Sequence, residues 1–519
     1  VDLAALEQLS VALAGERARG IDDRVGARAR GAFFTPPALA AFVAEAVIAP
    51  LRGGPVAVLD PAAGDGRFLA AAAAAGATRL VGIERDPATA AAAREVVPAA
   101  TIVVGEALLG RVEVGEVDAV VGNPPYVRSI HLRASDPALW EALRGKFAAT
   151  SHGEWDLYGA FLERSLAWVR PGGRVGLVVP SRWLTARASA RLRAHLAGAV
   201  EAIVDFGARQ LFDGATTYTS VVVMARGGRR VSAIARRGEA GWSAGEVDTE
   251  AAGAAPWVAR GTDEARWFAR ASGPTLGACA QIVKGAGTNA DGVFVIEDAV
   301  VEGEVVRGRT RLGEVAIERA AARPVLRGRD VVGWRSAPTA WCVVPYDARG
   351  LIEWDELVVR WPRAAAHLAA ARGVLEARER GRFAGARFHG FGRPQNLAMF
   401  LGDAPKVVVP DVVAEGRACL DVGSFVLDSA YALRTRADAP GGYGSPWLHL
   451  AILSSPVVRR WLALAGTPLR GGYARMKTAY LAPLPLPAMG PALRRAEEAA
   501  RAGAREACHA AVVAAYGGG

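Results

Sequence analysis

Asn123 and Tyr126 stand in the run Val120-Val121-Gly122-Asn123-Pro124-Pro125-Tyr126, which constrains chemistry more than any other stretch of the chain. The residues before it, Asp118-Ala119-Val120-Val121, have the apolar pattern of a buried strand. Pro124 and Pro125 end that strand, because neither has an N–H to give a neighbour. The chain must leave the sheet there on a stiff loop with its carbonyls outside the ladder. An amide and a phenol are thereby held at the carboxyl end of a strand, where open α/β sheets bind ligands.

A second run, Val58-Leu59-Asp60-Pro61-Ala62-Ala63-Gly64-Asp65-Gly66-Arg67-Phe68, reads as a strand, a glycine turn and the start of a helix. Gly64 and Gly66 let the backbone come close to a ligand. The third glycine of a dinucleotide fingerprint is missing, and Asp60 and Asp65 flank the turn. Two carboxylates repel a pyrophosphate and suit a cation. S-adenosylmethionine, with a sulfonium and an ammonium and no phosphate, fits that charge. Glu84 lies 20 residues beyond Gly64 at the end of the next strand, the distance at which a carboxylate accepts from ribose hydroxyls. Arg85 is a candidate for sandwiching the adenine, and Glu106, ending the third strand, a candidate acceptor for the adenine amino group.

These residues need a sheet to hold them. Strands are predicted at Val56–Asp60, Leu80–Glu84, Thr101–Gly105, Asp118–Gly122, Arg174–Val179, Glu201–Asp205 and Ser220–Ala225, with helical patterns between most of them. That alternation predicts a doubly wound, mostly parallel Rossmann-like α/β sheet over residues 31–228. Residues 1–30 read as a helical segment, with Leu3, Leu6, Leu9 and Leu13 in register. Residues 229–275, rich in Arg, Gly, Ala and Glu, read as a linker with some structure. From 276 to 519 short strand-like runs (Val293–Ile296, Trp341–Pro345, Lys406–Pro410, Ser424–Leu427) mix with helical stretches, which predicts a separate α+β domain.

The chain has 519 residues, enough for two or three domains, and a formal net charge of +10. Its only lysines are Lys146, Lys284, Lys406 and Lys477, so almost all the cations are arginines, which make planar contacts to phosphate and guanine. That balance points to a polyanionic partner. The four cysteines (Cys279, Cys342, Cys419, Cys508) are scattered without a CxxC pair, so no metal site is expected. The first residues lack a basic segment followed by an apolar one, and no apolar stretch is long enough to cross a bilayer. The expectation is a cytoplasmic protein without a membrane partner.

With these motifs in hand, residues 31 to about 225 resemble the TaqI-like, gamma-order DNA adenine-N6 methyltransferases. Gly31-Ala32-Phe33-Phe34-Thr35-Pro36-Pro37 is similar to the family's N-terminal cofactor motif, Asp60–Phe68 to its main cofactor loop, Glu84 to its ribose acid and Asn123–Tyr126 to its catalytic loop. Asp156-Leu157-Tyr158 with Phe161, then Pro171-Gly172-Gly173 and Val178–Ser181, resemble the family's segment beyond the catalytic loop; Glu106 departs from the family's usual Asp. The resemblance implies methyl transfer from S-adenosylmethionine to N6 of an adenine flipped out of duplex DNA. Asn123 and the Pro124 carbonyl would accept from the amino group, Pro125 would stiffen the loop, and Tyr126 would stack on one face of the base. Phe212 fits the family's position for the second face, with Tyr218 as the alternative.

In the C-terminal half, Gln281–Gly285 through Ile296, Leu326-Arg327-Gly328-Arg329-Asp330 and Pro405–Pro410 resemble segments of the family's target-recognition domain. Arg378, Arg380, Arg382, Arg387 and Arg393 interleave with Phe383, Phe388, His389 and Phe391, which suits phosphate contacts plus wedging. Arg327, Arg329, Arg382, Arg387, Phe388 and Arg393 are the DNA-binding candidates. Cytosine-C5 chemistry is excluded, because no cysteine follows a proline. No lysine sits in a nuclease-type (Asp/Glu)-x-Lys, so any restriction endonuclease would be a separate partner. Cytosine-N4 transfer, glutamine-N5 methylation of a release factor and a non-catalytic DNA-binding module are the competing readings.

Overall fold

A computed structural model describes residues 2–18, 35–110, 112–212, 217–227, 231–238, 241–257, 263–466, 469 and 472–517. The chain divides into two compact units, Val1–Ala265 with Arg470–Gly472, and Arg266–Leu469 with Tyr473–Gly519.

In the first unit the apolar runs form β1 (Ala57–Asp60), β2 (Arg79–Glu84), β3 (Thr101–Val104), β4 (Val117–Gly122), β5 (Val169–Pro180), β6 (Val200–Asp205) and β7 (Thr219–Ala225). Two further strands, β8 (Val231–Gly238) and β9 (Gly241–Asp248), complete one sheet in the order β3-β2-β1-β4-β5-β7-β6-β8-β9. β1 to β5 run parallel, while β7 pairs antiparallel with both β5 and β6. All seven residues of β7 are buried, as a strand covered on both faces requires. Helices lie close against the sheet. The helix Pro37–Ile48 buries Leu39, Val43 and Val47, and a Cβ on Gly176 of β5 would stand 2.8 Å from Val47 and 2.9 Å from Val43. The Ala-rich helix Arg67–Ala74 likewise buries Phe68, Leu69 and Ala72.

Within 229–275, read as a linker, residues 231–238 and 241–248 are the strands β8 and β9, and the first unit runs on to Ala265. β8 pairs parallel with β6, and β9 returns along β8 through a hairpin. The helix Leu3–Ala18 ties to the same hairpin: Glu7 pairs with Arg237, and the Trp242 indole donates to the Ser10 hydroxyl. Beyond β9, Trp257 is buried edge-on to Trp183. Arg193, itself buried, donates to the carbonyls of Trp183, Ala186, Ala254 and Ala255 at 2.7–2.8 Å. Its charge is balanced by carbonyl dipoles, and burial pulls its pKa down to about 10.

The second unit holds a four-stranded antiparallel sheet, in the order Ala280–Lys284, Ala430–Thr435, Lys406–Pro410, Cys419–Asp421. A six-stranded sheet runs Gly313–Glu318, Val305–Thr310, Val295–Glu302, Ala340–Val343, Ala322–Leu326, Phe425–Val426. The helices Pro446–Ser454, Pro456–Ala465, Pro491–Arg501 and Arg505–Ala515 complete it. The run Val293–Ile296, expected as a strand, is split: Asp291–Phe294 is a helical turn and the strand starts at Val295.

Candidate active site

Strand order reverses between β1 and β4, and these two strands are direct neighbours, with Val58 beside Ala119 and Leu59 beside Val120. Their carboxyl ends therefore open side by side at a topological switch point, where such sheets bind ligands. The Asp60 turn leaves one end and the Asn123 loop leaves the other. The Gly122 backbone passes so close to the Asp60 carboxyl that a Cβ on Gly122 would lie 2.7 Å from Asp60 Oδ1.

Asp60 is the electrostatic centre of this end of the sheet. Its Oδ1 accepts from the Ala62 N–H at 3.1 Å, while Oδ2 is buried with no hydrogen-bond partner among the described residues. Burial raises its pKa to about 8; the Ala62 N–H opposes that, and Glu84 and Asp65 add to it. The turn after it is set by backbone bonds, Ala63 N–H to the Ile83 carbonyl at 2.9 Å and Gly66 N–H to the Ala63 carbonyl at 2.8 Å. Gly64 (φ 54°) and Gly66 (φ 84°) both sit in the left-handed region, which explains their type. At Gly66 a Cβ would also press on Ala93 at 3.2–3.4 Å. Glu84 holds the turn from β2, accepting from the Gly64 N–H at 3.0 Å and the Asp86 N–H at 2.9 Å.

One residue that sequence reasoning did not single out links the two loops. Arg67 donates to Asp65 Oδ2 and to the Thr35 carbonyl, each at 2.6 Å. The Thr35 hydroxyl in turn accepts from Asn123 Nδ2 at 3.1 Å. Thr35 is buried, and Pro36 precedes the first turn of the helix Pro37–Ile48. The cofactor turn, the 35–36 segment and the Asn123 amide are thus one hydrogen-bonded chain. Residues 31–34 of the N-terminal motif lie outside the described residues. The cationic partner expected for Asp65 is supplied by Arg67.

Tyr126 donates its hydroxyl to the Val178 carbonyl at 3.2 Å and meets Tyr158 and Phe212 edge-on, at centroid distances of 6.2 and 6.3 Å. Rings that sandwich a base must be parallel and about 7–8 Å apart, two carbon contacts of 3.5–4.0 Å. Tyr126 and Phe212 stand 72° to one another, so the expected two-faced slot is closed in this arrangement. Tyr158 is the third ring of the cluster, and the residues after Phe212, 213–216, lie outside the described set. Tyr218 lies on the approach to β7, and its carbonyl accepts from Ser181. Pro124 is buried and Pro125 half-buried on the loop between Asn123 and Tyr126.

Two cofactor candidates have other work in this structure. The Arg85 guanidinium pairs with Asp136 at 2.5 Å. Both Glu106 oxygens cap the next turn, accepting from Leu108 and Leu109 at 3.0 and 2.7 Å. In the second unit Phe388 is 1 % exposed and packs on Trp354, which removes it as a wedge into DNA. Arg327 is engaged by Glu297 and Asp330. Arg329 and Arg382 remain exposed, paired with Glu297 and Glu379, and Arg387 and Arg393 are exposed. Among the described residues no cluster of His, Cys, Asp and Glu is arranged to hold a metal ion, and no helix is long and apolar enough to cross a membrane.

The residues fit S-adenosylmethionine: Asp60 Oδ2, buried and without a hydrogen-bond partner among the described residues, suits a cation, and the glycines of the turn allow a close backbone approach.

Residues 90–212 match the Eco57I restriction-modification methylase family. The type II methyltransferase M.PaeR7I of Pseudomonas aeruginosa is 27% identical over 452 residues, covering 80% of this chain and 72% of the relative. M.TthHB8I of Thermus thermophilus, also a type II methyltransferase, is 38% identical over 180 residues, 33% of this chain and 39% of its own. Among solved structures, the type IIL restriction-modification enzyme MmeI in complex with DNA superposes with a TM-score of 0.55 at 14% identity, covering 89% of this chain and 70% of MmeI. At that identity the likeness speaks for the fold alone. Over residues 90–212 the chain is similar to the Eco57I restriction-modification methylases, and over most of its length to type II methyltransferases.

Proposed function

We propose that the protein is a sequence-specific DNA methyltransferase that methylates N6 of a flipped-out adenine with S-adenosylmethionine, in a restriction–modification setting. The observation that carries this reading is the Asn123 amide at the end of β4, tied through Thr35 and Arg67 to the glycine turn beside buried Asp60. S-adenosylmethionine, when bound, supplies an electrophilic methyl group. Asp60 offers its ammonium or sulfonium a counter-charge, Glu84 offers acceptors to its ribose, and Gly64 and Gly66 admit it to the backbone.

The chain's own task is to make an aromatic amine nucleophilic. The N6 lone pair of adenine is delocalised into the ring. Acceptors facing both N–H groups favour a pyramidal nitrogen and localise that pair. Asn123 Oδ1 and the Pro124 carbonyl are the two acceptors, with the amide's rotation fixed by its donation to Thr35. Alkylation makes the nitrogen acidic enough to lose its surplus proton to water, so no strong base is required. The rest is positioning. The target base leaves the stack and rests on Tyr126. Because Phe212 meets Tyr126 edge-on, Phe212 must swing away for the base to enter, and can then cover its second face. Stacking contributes roughly 1–3 kcal/mol per base, which offsets much of the unstacking. The second unit is the target-recognition domain.

The test is to offer the purified chain labelled S-adenosylmethionine with duplex DNA, RNA or a release factor, and to read the modified base by long-read sequencing of DNA from an expressing host. Label in N6-methyladenine within one sequence context is the expected result. Label in cytosine, in a glutamine, or in nothing would refute it.

A further inference from the structure

The second unit carries a groove of about 770 Å³ on its six-stranded sheet, lined by four arginines and three carboxylates. A β-bulge shapes it. The strand Val295–Glu302 pairs Glu297 with Arg309 and then Val300 with Arg307, three steps on one strand against two on its neighbour. A bulge of this kind re-aims side chains. Asp298, within it, takes a left-handed conformation (φ 51°), which Asp adopts more readily than most residues with a Cβ.

The re-aimed carboxylates orient arginines. Asp298 pairs with Arg309. Glu297 pairs with buried Arg327 and, at 2.8 Å, with Arg329. Arg327 has a 10% exposed side chain and spends its donors on Glu297 and Asp330, so it is a positioning residue. Arg309 and Arg329 are 68% and 67% exposed, each with a carboxylate fixing one side of its fork and further N–H groups beyond it. Arg311 lines the same groove with no acid partner among the described residues.

The mixture of charges discriminates between ligands. A phosphate site would suffer from three nearby carboxylates. A base edge would not, because guanine presents two acceptors to an arginine fork and cytosine presents a donor to a carboxylate. We propose that this groove reads G·C base pairs in the recognition sequence, Arg309 and Arg329 donating to guanine and Glu297 and Asp298 setting their aim. The inference rests on the reading of the protein as a DNA methyltransferase and names what its second unit recognises.

The experiment compares methylation of duplexes differing at single positions, for the wild type and for Arg329→Ala, Arg329→Lys, Arg309→Ala and Glu297→Gln in the full chain. A lost guanine contact lowers discrimination at one position roughly ten- to hundred-fold while discrimination elsewhere is retained. Arg329→Lys is expected to behave like Arg329→Ala, since the bidentate fork is what reads guanine. Glu297→Gln is expected to lower discrimination at the same position by a smaller factor. Rescue by lysine, or uniform weakening at every sequence with a salt slope shallower by about one, identifies a phosphate contact and overturns the proposal. Unchanged site preference in Arg329→Ala and Arg309→Ala, both exposed and so expected to fold, overturns it as well. A wild type that methylates no DNA would instead remove the reading beneath it.

Discussion

The carboxyl end of the first unit's sheet and the groove of the second unit are built in opposite ways. Around Asp60 and Asn123 the geometry comes mostly from backbone: strand ends at a switch point, glycines at φ 54° and 84°, and amides that hold Asp60 and Glu84. Around Glu297 it comes from side chains pairing with side chains across a bulge. Backbone geometry suits chemistry that is the same for every substrate. Side-chain pairs suit recognition, because they can be exchanged without rebuilding the fold. The first region should therefore answer substitution with lost activity or stability, and the second with altered preference.

The sharpest test of the first half is Asn123→Ala. It is expected to lower the single-turnover rate by about 10²–10³-fold, the loss typical of removing one preorganised polar contact to a reacting group, with little change in S-adenosylmethionine affinity by calorimetry. A normal rate would break the contrast. Next in size is Gly122→Ala. The new methyl falls 2.7 Å from Asp60 Oδ1, so a destabilisation of roughly 1–3 kcal/mol is expected from a thermal melt, the usual cost of overpacking.

Asp60 supplies a pH signature. Its pKa is raised from 3.8 to about 8, so its contribution to stability is full below the ordinary carboxylate pKa and is lost as pH rises through about 8. A cationic ligand favours the ionised form. S-adenosylmethionine affinity is thus expected to rise from pH 6 to 8 and level off above, and Asp60→Asn to flatten that profile and weaken binding. A profile unchanged by the substitution would show that the cation is held elsewhere. The smallest effect belongs to Arg85→Ala, which breaks an exposed pair with Asp136 worth about 0–1 kcal/mol. Cofactor affinity should barely move; a tenfold loss would return Arg85 to the adenine site.

How much the sequence discloses depends on how far its signals reach. Val117–Gly122 is legible because an apolar run meets two prolines, and Gly64, Asp60 and Glu84 because strand and turn chemistry is local. β8 and β9 were illegible as strands: β9 is half exposed, its composition is polar, and only pairing with β6 reveals the extension of the sheet. The link from Arg67 through Thr35 to Asn123 spans separations of 32 and 88 residues, which no window detects. The Arg- and Phe-rich stretch 378–393 looks uniform in sequence, yet it divides in space. Arg378 and Phe388 turn inward, Arg378 onto the carbonyls of Leu375, Thr288 and Phe388, while Arg382 and Arg387 stay outside. Alternation along a loop does not say which side faces solvent.

Arg193 bears on how the chain can be dissected. A fragment cut at residue 228, where the alternating pattern of strands and helices stops, would strip β6 of its outer neighbour and bare a row of amides and carbonyls ready to pair with another molecule. It would also take the Ala254 and Ala255 oxygens away from a guanidinium already sealed from water. The shortest piece of the first unit that keeps this cation solvated by carbonyls runs to Ala255.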